Sequence, residues 1–489
     1  MMLSRNSPRT RLERLCAALD PEHAPSEASM SALSALLTDN PSASQLWLTW
    51  AVLTTDLPTM HEILWAQRQV KLSGVERLVA RLASRGRKLG GLATPDVQIV
   101  SGAVLVDVFH TSQTKLTTGI QRVARETVQR WDKTHDIQLV TWTADGRALR
   151  ALTASERVRA LTGAKLDRRG ESVPRARIVP WGGHYLLPEL AAEQWRTERL
   201  GALAEYSGAA SGVIGFDCVP LTSVETVGEG MAAAFARNLG AVRHMGRVST
   251  ISRAAGNEYS GWKQMLPSIG VLGPDIRPIG LAASSQEASP EAIAAAASLL
   301  GVQSDVPMVL VVGSHEPRKN HLAVLAAAES LWAKGLDFRL VFIGGNSWKS
   351  HQFDSELANL QQRGRSTASM SAISDSLLWA AYRLARFTVF PSLNEGFGLP
   401  VAESLSCGTP AITSNYGSMR EIAEDGGGVL LVDPYDDASI AAGMLRLLTD
   451  QDELGRLVAE AKSRTPRTWD DYAAELWSYF VDEDASASR

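Results

Sequence analysis

One segment of the chain places two glutamates around a glycine-rich turn. Pro391–Gly408 reads PSLNEGFGLPVAESLSCG, in which Glu395 and Glu403 flank Gly396 and Gly398. The apolar run before the turn predicts a strand, and the stretch after it predicts a helix. Glycines let a ligand approach the backbone, and the free N–H groups at a helix start bind anions. The pattern favours a phosphate with hydroxyl-bearing groups on both sides, as in a nucleotide sugar.

A simpler interpretation of the same glutamates stays open at this point. Glu395 would cap a helix, and Glu403 would be an ordinary solvated residue within that helix.

A pair of cations follows another predicted strand. Arg318 and Lys319 come shortly after the apolar run Met308–Gly313, just before a predicted helix. Cations at a helix start oppose the helix dipole, so an anionic ligand would explain their position. Cations placed there would also stabilise a phosphate leaving group. The alternative is a solvated pair.

Asp217 is a further candidate, because it follows the predicted strand Gly212–Phe216 at its carboxyl end. Capping of the next helix is an almost equal alternative for it. His110 and His184 also fall near predicted strand ends, and for both a structural role is favoured over a catalytic one.

The elements around these residues form two series. From about residue 97, short apolar runs alternate with amphipathic stretches, and a second such series begins near 305. Alternating strands and helices predict parallel βαβ units, and therefore two doubly wound α/β domains, at 96–283 and 300–465. Ligands bind outside the carboxyl ends of the strands in such sheets, so we expect the site in the cleft between the domains.

Residues 1–95 show helical periodicity and no catalytic motif, which predicts an appended helical extension that serves packing or oligomerisation. Trp47, Trp50 and Trp65 allow peripheral membrane contact, but buried helix contacts are favoured. At the other end, we expect 466–489 to form a helix and tail, with the helix packing back on the first domain.

Composition excludes several classes of protein. The 489 residues are 45% hydrophobic and 21% charged with a net charge of −4, which fits a globular protein and argues against nucleic acid as the main partner. Three distant cysteines fit a reducing cytoplasm. No apolar run is long enough to span a membrane. Histidine spacing gives no metal site, and Asp482 and Asp484 form an Asp-x-Asp only in a polar tail, so neither metal nor cofactor is expected.

The segment EGFGLPVAE, with its Glu-x7-Glu spacing, resembles the signature of retaining glycosyltransferases of family 4. Further stretches resemble that family in order and spacing: Val311–Ala328, Phe338–Gly345, Ile373–Asn415 and Gly417–Pro434, with Thr117–Glu126 similar to its first strand-to-helix loop. The clear resemblance covers roughly 305–480, and it implies the GT-B fold.

The resemblance implies residue roles. Glu403 would bind the donor ribose, and Glu395 would contact the donor sugar near the reacting carbon. The backbone of Gly396, Phe397, Gly398 and Leu399 would hold sugar hydroxyls and phosphate. Arg318 and Lys319 would neutralise the diphosphate, and Gly119 would lie across the cleft beside it.

Two positions depart from the family pattern. Many relatives carry a basic residue after the glycine of the first strand of the second domain, where this chain has Ser314 and then His315. Many also have a histidine before the aspartate, where this chain has Phe216 before Asp217. The phosphate grip is therefore expected to rest on Arg318 and Lys319.

By resemblance, the protein would move a hexose, such as mannose or a deoxyhexose, from a nucleoside diphosphate sugar to a glycan, lipid-linked or other hydroxyl acceptor. It would act with retention and without metal, in bacterial surface polysaccharide or glycoconjugate synthesis. We expect it in the cytoplasm, including the inner face of the membrane. A sugar-nucleotide epimerase, a phosphorylase and an inactive scaffold that keeps the fold are the alternatives.

Overall fold

The computed structural model describes residues 8–22, 28–90, 95–114, 118–164, 166, 170–283, 285–465 and 467–483. Thr117, Pro466 and Asp484, which belong to segments discussed above, lie outside these ranges. None of the helices in these ranges combines the length and apolar character that crossing a bilayer requires.

In the described part before the first sheet, helices are joined by short turns and there is no strand. These helices are α1 Pro8–Leu19, α2 Met30–Leu37, α3 Ala43–Thr54, α4 Met60–Ser73 and α5 Val75–Gly90. Capping boxes begin α3, with Ser42 and Gln45, and α4, with Thr59 and Glu62.

A nine-stranded sheet follows, in the order β1-β5-β4-β3-β2-β6-β7-β8-β9. Only β4 among these strands runs antiparallel to its neighbours. The strands are β1 Val97–Ser101, β2 Val104–Asp107, β3 Ile137–Trp142, β4 Leu149–Ala151, β5 Arg177–Trp181, β6 His184–Leu187, β7 Ala210–Gly215, β8 Arg247–Thr250 and β9 Asp275–Pro278. The helices between them are α6 Phe109–Gln113, α7 Gly119–Thr134, α8 Ala154–Thr162, α9 Gln194–Tyr206, α10 Val219–Thr222, α11 Met231–Val242 and α12 Arg253–Lys263.

The second sheet has six parallel strands in the order β12-β11-β10-β13-β14-β15. They are β10 Met308–Val312, β11 Arg339–Ile343, β12 Thr367–Met370, β13 Phe387–Phe390, β14 Ala411–Ser414 and β15 Val429–Val432. The helices are α13 Pro290–Leu300, α14 His321–Ala333, α15 His351–Gln362, α16 Asp375–Leu384, α17 Leu399–Ser406, α18 Gly417–Glu424, α19 Asp437–Thr449, α20 Gln451–Ser463 and, after the sheet domain, α21 Trp469–Trp477.

Helix α21 lies on the first domain. The indole N–H of Trp131 in α7 donates to the Ala473 carbonyl at 2.9 Å, and the Trp131 and Trp477 rings meet at 5.9 Å. The chain therefore crosses between the two domains twice, once after β9 and once before α21.

Residues 1–95 are not the separate extension that the sequence predicts. Trp47, Trp50 and Leu82 belong to the same apolar core as Tyr185 and Leu200 of the first domain. The helical periodicity of the apolar residues predicts these helices, but it cannot predict which other element packs against their apolar faces. Trp47 and Trp50 are fully buried, so they are core residues and not a membrane surface.

This shared core changes the expected result of truncation. A protein of residues 97–489 should expose the apolar face that α3 and α5 cover, and it should aggregate or lose its cooperative melting transition. Light scattering and a thermal melt would show this, with the full chain as control. A monodisperse 97–489 fragment with a sharp transition would contradict it.

Candidate functional site in the cleft

The residues singled out in the sequence follow carboxyl ends of strands in both sheets. Gly119 begins α7 after β2, and Asp217 follows β7. Arg318 and Lys319 follow β10, and Glu395 follows β13. In parallel sheets these ends lie on one edge of each sheet, so four chain segments meet where the two domains face each other.

A buried ion cluster anchors the second domain's side of the cleft. Glu395 Oε2 lies 2.7 Å from Arg318 Nη1, and Glu395 Oε1 lies 2.5 Å from Lys319 Nζ. The Ser392 hydroxyl donates to the same carboxylate at 2.7 Å. Burial alone would raise the pKa of Glu395, but Arg318 and Lys319 outweigh it and hold that pKa at about 2. Glu395 is therefore an anion at every physiological pH.

Arg318 is also fixed by the turn it serves. Its guanidinium donates to the Asn394 carbonyl at 2.6 Å and to Glu316 at 2.8 Å. Its own carbonyl accepts from the Leu393 N–H at 2.8 Å. The cation and the glycine-rich turn thus form one rigid unit, which would hold positive charge in place for an anionic ligand.

The turn itself touches the first domain. A Cβ atom on Gly396 would lie 2.6 Å from Asp217 Oδ2 and 2.8 Å from the Phe216 carbonyl, so any other residue would push the domains apart. The Gly396 carbonyl accepts from the Ser252 hydroxyl at 2.6 Å. Gly398, with φ of 98°, takes the left-handed conformation that begins α17.

Phe397 and Leu399 extend this contact, since both pack against the apolar cluster of the first domain that contains Val106 and Ile251. Gly119 lies opposite: its Cβ position is 3.5 Å from Leu399 Cδ1. A bulky side chain at Gly119 would meet the start of α17.

Glu403 has partners that sequence reasoning missed. The residue is only 5% exposed, and its carboxylate forms an ion pair with Arg122 of α7 across the cleft and accepts a hydrogen bond from the Tyr382 hydroxyl at 2.9 Å. Burial raises the pKa of Glu403 while Arg122 opposes the rise. Arg122 was visible three residues after Gly119 in the sequence, but nothing in the sequence pairs residues 281 positions apart.

Asp217 faces the cluster from the first domain. Burial raises the pKa of Asp217 to about 6, and Glu258 and Glu395 add to the rise while Arg318 opposes it. Asp217 Oδ1 also accepts from the Val219 N–H at 3.2 Å, at the start of α10. Asp217 therefore lies at the cleft and accepts one N–H of α10, although Cys218 is the capping residue of that helix.

The remaining candidates occupy less central positions. Ser314 is half-buried, and its carbonyl accepts from Glu316 N–H. His315 turns into the second domain, with its ring 4.3 Å from Phe353 and Nδ1 2.9 Å from Asn346 Oδ1. It does not replace the basic residue of the family pattern.

Neither of the two singled-out histidines contacts the ion cluster. His184 begins β6 at the amino end of that strand, on the edge away from the cleft. His110 Nδ1 lies 3.2 Å from Gln121 Nε2. In the described ranges, no three His, Cys, Asp or Glu side chains are grouped to hold a metal ion.

Residues 298–464 match the family model described as Glycosyl transferases group 1, in the part of the chain where the motifs predict that resemblance. The serotype-specific mannosyltransferase WbdA of Escherichia coli is 34% identical over 130 residues, which cover 27% of this chain and 16% of WbdA. The E. coli O-antigen chain mannosyltransferase B is 36% identical over 157 residues, covering 31% and 39%. The D-inositol 3-phosphate glycosyltransferase of Acidothermus cellulolyticus is 31% identical over 257 residues, covering 50% and 55%.

The matched part of the chain thus spans between about a sixth and about half of the length of these relatives. Solved structures match over more of its length. Anabaena Alr3699/HepE in complex with UDP and glucose has a TM-score of 0.53 at 12% identity, covering 79% of this chain and 99% of that one. The N-terminal domain of Candida albicans trehalose-6-phosphate phosphatase has a TM-score of 0.54 at 10% identity, covering 78% and 98%. At this identity the likeness shows the fold, and the predicted GT-B fold is confirmed.

The raised pKa of Asp217 gives a prediction about stability. A carboxyl group with a folded pKa of about 6 and an ordinary unfolded pKa destabilises the fold as pH rises between about 4 and 6. Asp217→Asn removes that loss, so the melting temperature of the variant, relative to the parent, should increase from pH 4 to pH 7. Melts at both pH values measure it, and Asp337→Asn, at an exposed position of the second domain, is the control. A constant difference would contradict the raised pKa.

Proposed function

We propose that this protein is a retaining hexosyltransferase that uses a nucleoside diphosphate sugar and a hydroxyl acceptor. The observation that carries the proposal is the Arg318–Lys319–Glu395 cluster beside the glycine turn at the start of α17. Two fixed cations and a helix N-terminus suit a diphosphate, and the ionised Glu395 suits sugar hydroxyls.

The chemistry follows from the charge that develops on the leaving group. The bond between the anomeric carbon and the diphosphate oxygen breaks, the acceptor oxygen bonds to the same face of that carbon, and the acceptor proton passes to a phosphate oxygen. Arg318 and Lys319 stabilise the growing negative charge of the diphosphate. No step of this proposed reaction uses a metal ion.

Asp217 and Gly119 complete the site from the first domain. With a pKa of about 6, Asp217 carries or releases a proton near neutral pH, which suits a hydrogen bond to a sugar hydroxyl next to the reacting carbon. Gly119 leaves room for the diphosphate opposite α17. The similarity to the E. coli mannosyltransferases supports mannose as the sugar and surface polysaccharide as the product.

The direct test is product analysis with nucleotide sugars. The purified protein is incubated with GDP-mannose, UDP-glucose and dTDP-rhamnose, and release of nucleoside diphosphate is followed with and without a glycan acceptor. Slow hydrolysis without acceptor and net transfer with retained configuration are expected. Interconversion of the donor sugar would indicate an epimerase, use of free phosphate a phosphorylase, and no reaction an inactive scaffold.

Lys319 should matter more for turnover than for folding. Lys319→Ala removes a cation that meets charge growing in the transition state, so kcat should fall about a hundredfold or more. Lys334→Ala, at an exposed lysine after α14, is the matched control and should leave kcat unchanged. Equal kcat for Lys319→Ala and the parent, at equal folded fraction, would remove Lys319 from the mechanism.

Glu403 is tested by nucleotide binding. Glu403→Ala removes the charged acceptor proposed for the ribose hydroxyls and should weaken binding by about 1.5–3 kcal/mol, measured by calorimetry with the nucleoside diphosphate that the donor assay selects. Arg122→Ala removes the competing partner of the same carboxylate and should not weaken binding. If Glu403→Ala binds as the parent does, Glu403 only joins the domains.

A further inference from the structure

A cavity lined by several arginines lies in the first domain, away from the ion cluster. It has a volume of about 510 Å³ and is walled by the loop after β3, the approach to β5, and the residues that follow α3. This volume lies within the range of small-molecule sites. Its charged lining residues are four arginines and two aspartates: Arg147, Arg150, Arg175, Arg177, Asp56 and Asp145.

The arginines of this cavity are unequally neutralised. Arg150 is held by both oxygens of Glu156, at 2.7 and 2.8 Å, and Arg147 contacts Asp56 at 3.4 Å. Arg177, at the start of β5, lies near enough to Asp145 for its charge to help lower the pKa of that carboxyl, yet its buried Nε has no hydrogen-bond acceptor among the described residues. A buried guanidinium donor without an acceptor is costly, so an anion that reached it would regain that free energy.

The cavity is joined to the cleft through packed side chains. Gly146, in the loop after β3, packs on the ring of Trp195, and the ring of Trp195 meets that of Phe109 at 5.3 Å. Phe109 begins α6, between β2 and Gly119. The indole of Trp142, at the end of β3, donates to Asp107, at the end of β2, at 2.8 Å. The part of the lining in the loop after β3 therefore lies at the carboxyl end of that strand, beside the end of β2.

We infer that this cavity binds an anionic group of the acceptor, a phosphate or a carboxylate, with Arg177 and Arg175 as its ligands. That the anion belongs to an acceptor rests on the proposed transfer reaction, whereas the anion site itself does not depend on that reaction. It also gives residues 1–95 a role, because Thr55 and Asp56 after α3 form one wall and the Leu57 N–H donates to the Arg147 carbonyl at 2.8 Å.

Calorimetry on the full chain tests the anion site, with glucose 6-phosphate and glucuronate as probes and glucose as the neutral control. Both anions should bind and glucose should not; binding of glucose 6-phosphate alone would restrict the site to phosphate. Arg177→Gln should weaken anion binding about tenfold, the loss expected for one charge-assisted hydrogen bond. Arg237→Gln, at an exposed arginine of α11, should leave it unchanged.

A second variant locates the bound anion. Lys319→Ala should leave probe binding intact if the anion sits in this cavity, and should abolish it if the anion sits in the cleft. The inference would be overturned if Lys319→Ala weakened anion binding and Arg177→Gln left it unchanged. It would also be overturned if neither probe bound the parent protein at 10 mM.

Transfer kinetics separate this inference from the proposed function. With an anionic acceptor, Arg177→Gln should raise KM for the acceptor and leave kcat and nucleoside diphosphate binding unchanged. Unchanged KM would remove the acceptor role while transfer itself stands. Absence of transfer in the parent would refute the proposed function and leave the calorimetric result on the anion site to stand by itself.

Discussion

The contact between the two domains depends on the missing side chain of Gly396. Its backbone lies against Asp217 and the Phe216 carbonyl, closer than any Cβ would permit. This approach allows Ser252 to reach the Gly396 carbonyl and brings Phe397 into the apolar cluster of the first domain. Because the same turn carries Glu395, the position of the site and the closure of the cleft are set by one stretch of backbone.

The two carboxylates that meet at this turn have opposite electrostatic environments. Glu395 is surrounded by Arg318, Lys319 and Ser392, all of which stabilise its anion, whereas Asp217 faces Glu258 and Glu395 and is largely desolvated. One group therefore stays charged and the other changes charge near pH 6. Pairs of carboxyl groups whose environments separate their pKa values in this way are typical of active sites in which one group stays ionised and the other exchanges a proton.

Much of this architecture was readable from the sequence, because it depends on local pattern. The strand at Ile137–Trp142 and the helix that starts at Gly119 follow from periodicity, and the strand–turn–helix around Glu395 follows from its glycines. The sequence pattern does not predict β1, which lies at the edge of the sheet and is partly exposed, or β5 beside it, which contains Pro180, a residue that strands disfavour.

What the sequence could not give are the partners of charged and apolar surfaces. The helices of residues 1–95 were recognisable, but their merging with the first domain's core depends on three-dimensional packing. The Arg122–Glu403 pair likewise joins helices of different domains. The family resemblance implies one partner for Glu403, the donor ribose, whereas in this chain Arg122 is a second partner of the same carboxylate.

That second partner links donor binding to the cleft. The carboxylate of Glu403 is nearly inaccessible, and Arg122 and Tyr382 already occupy both its oxygens. A ribose that used this carboxylate would have to displace Arg122 or share the oxygen with it, and either event loosens a bond between the domains. If the donor binds there, its binding free energy is reduced by the free energy of that contact, and an opened cleft binds it more tightly than the closed one. The Arg122–Glu403 ion pair would then join the domains only while no donor is bound to Glu403.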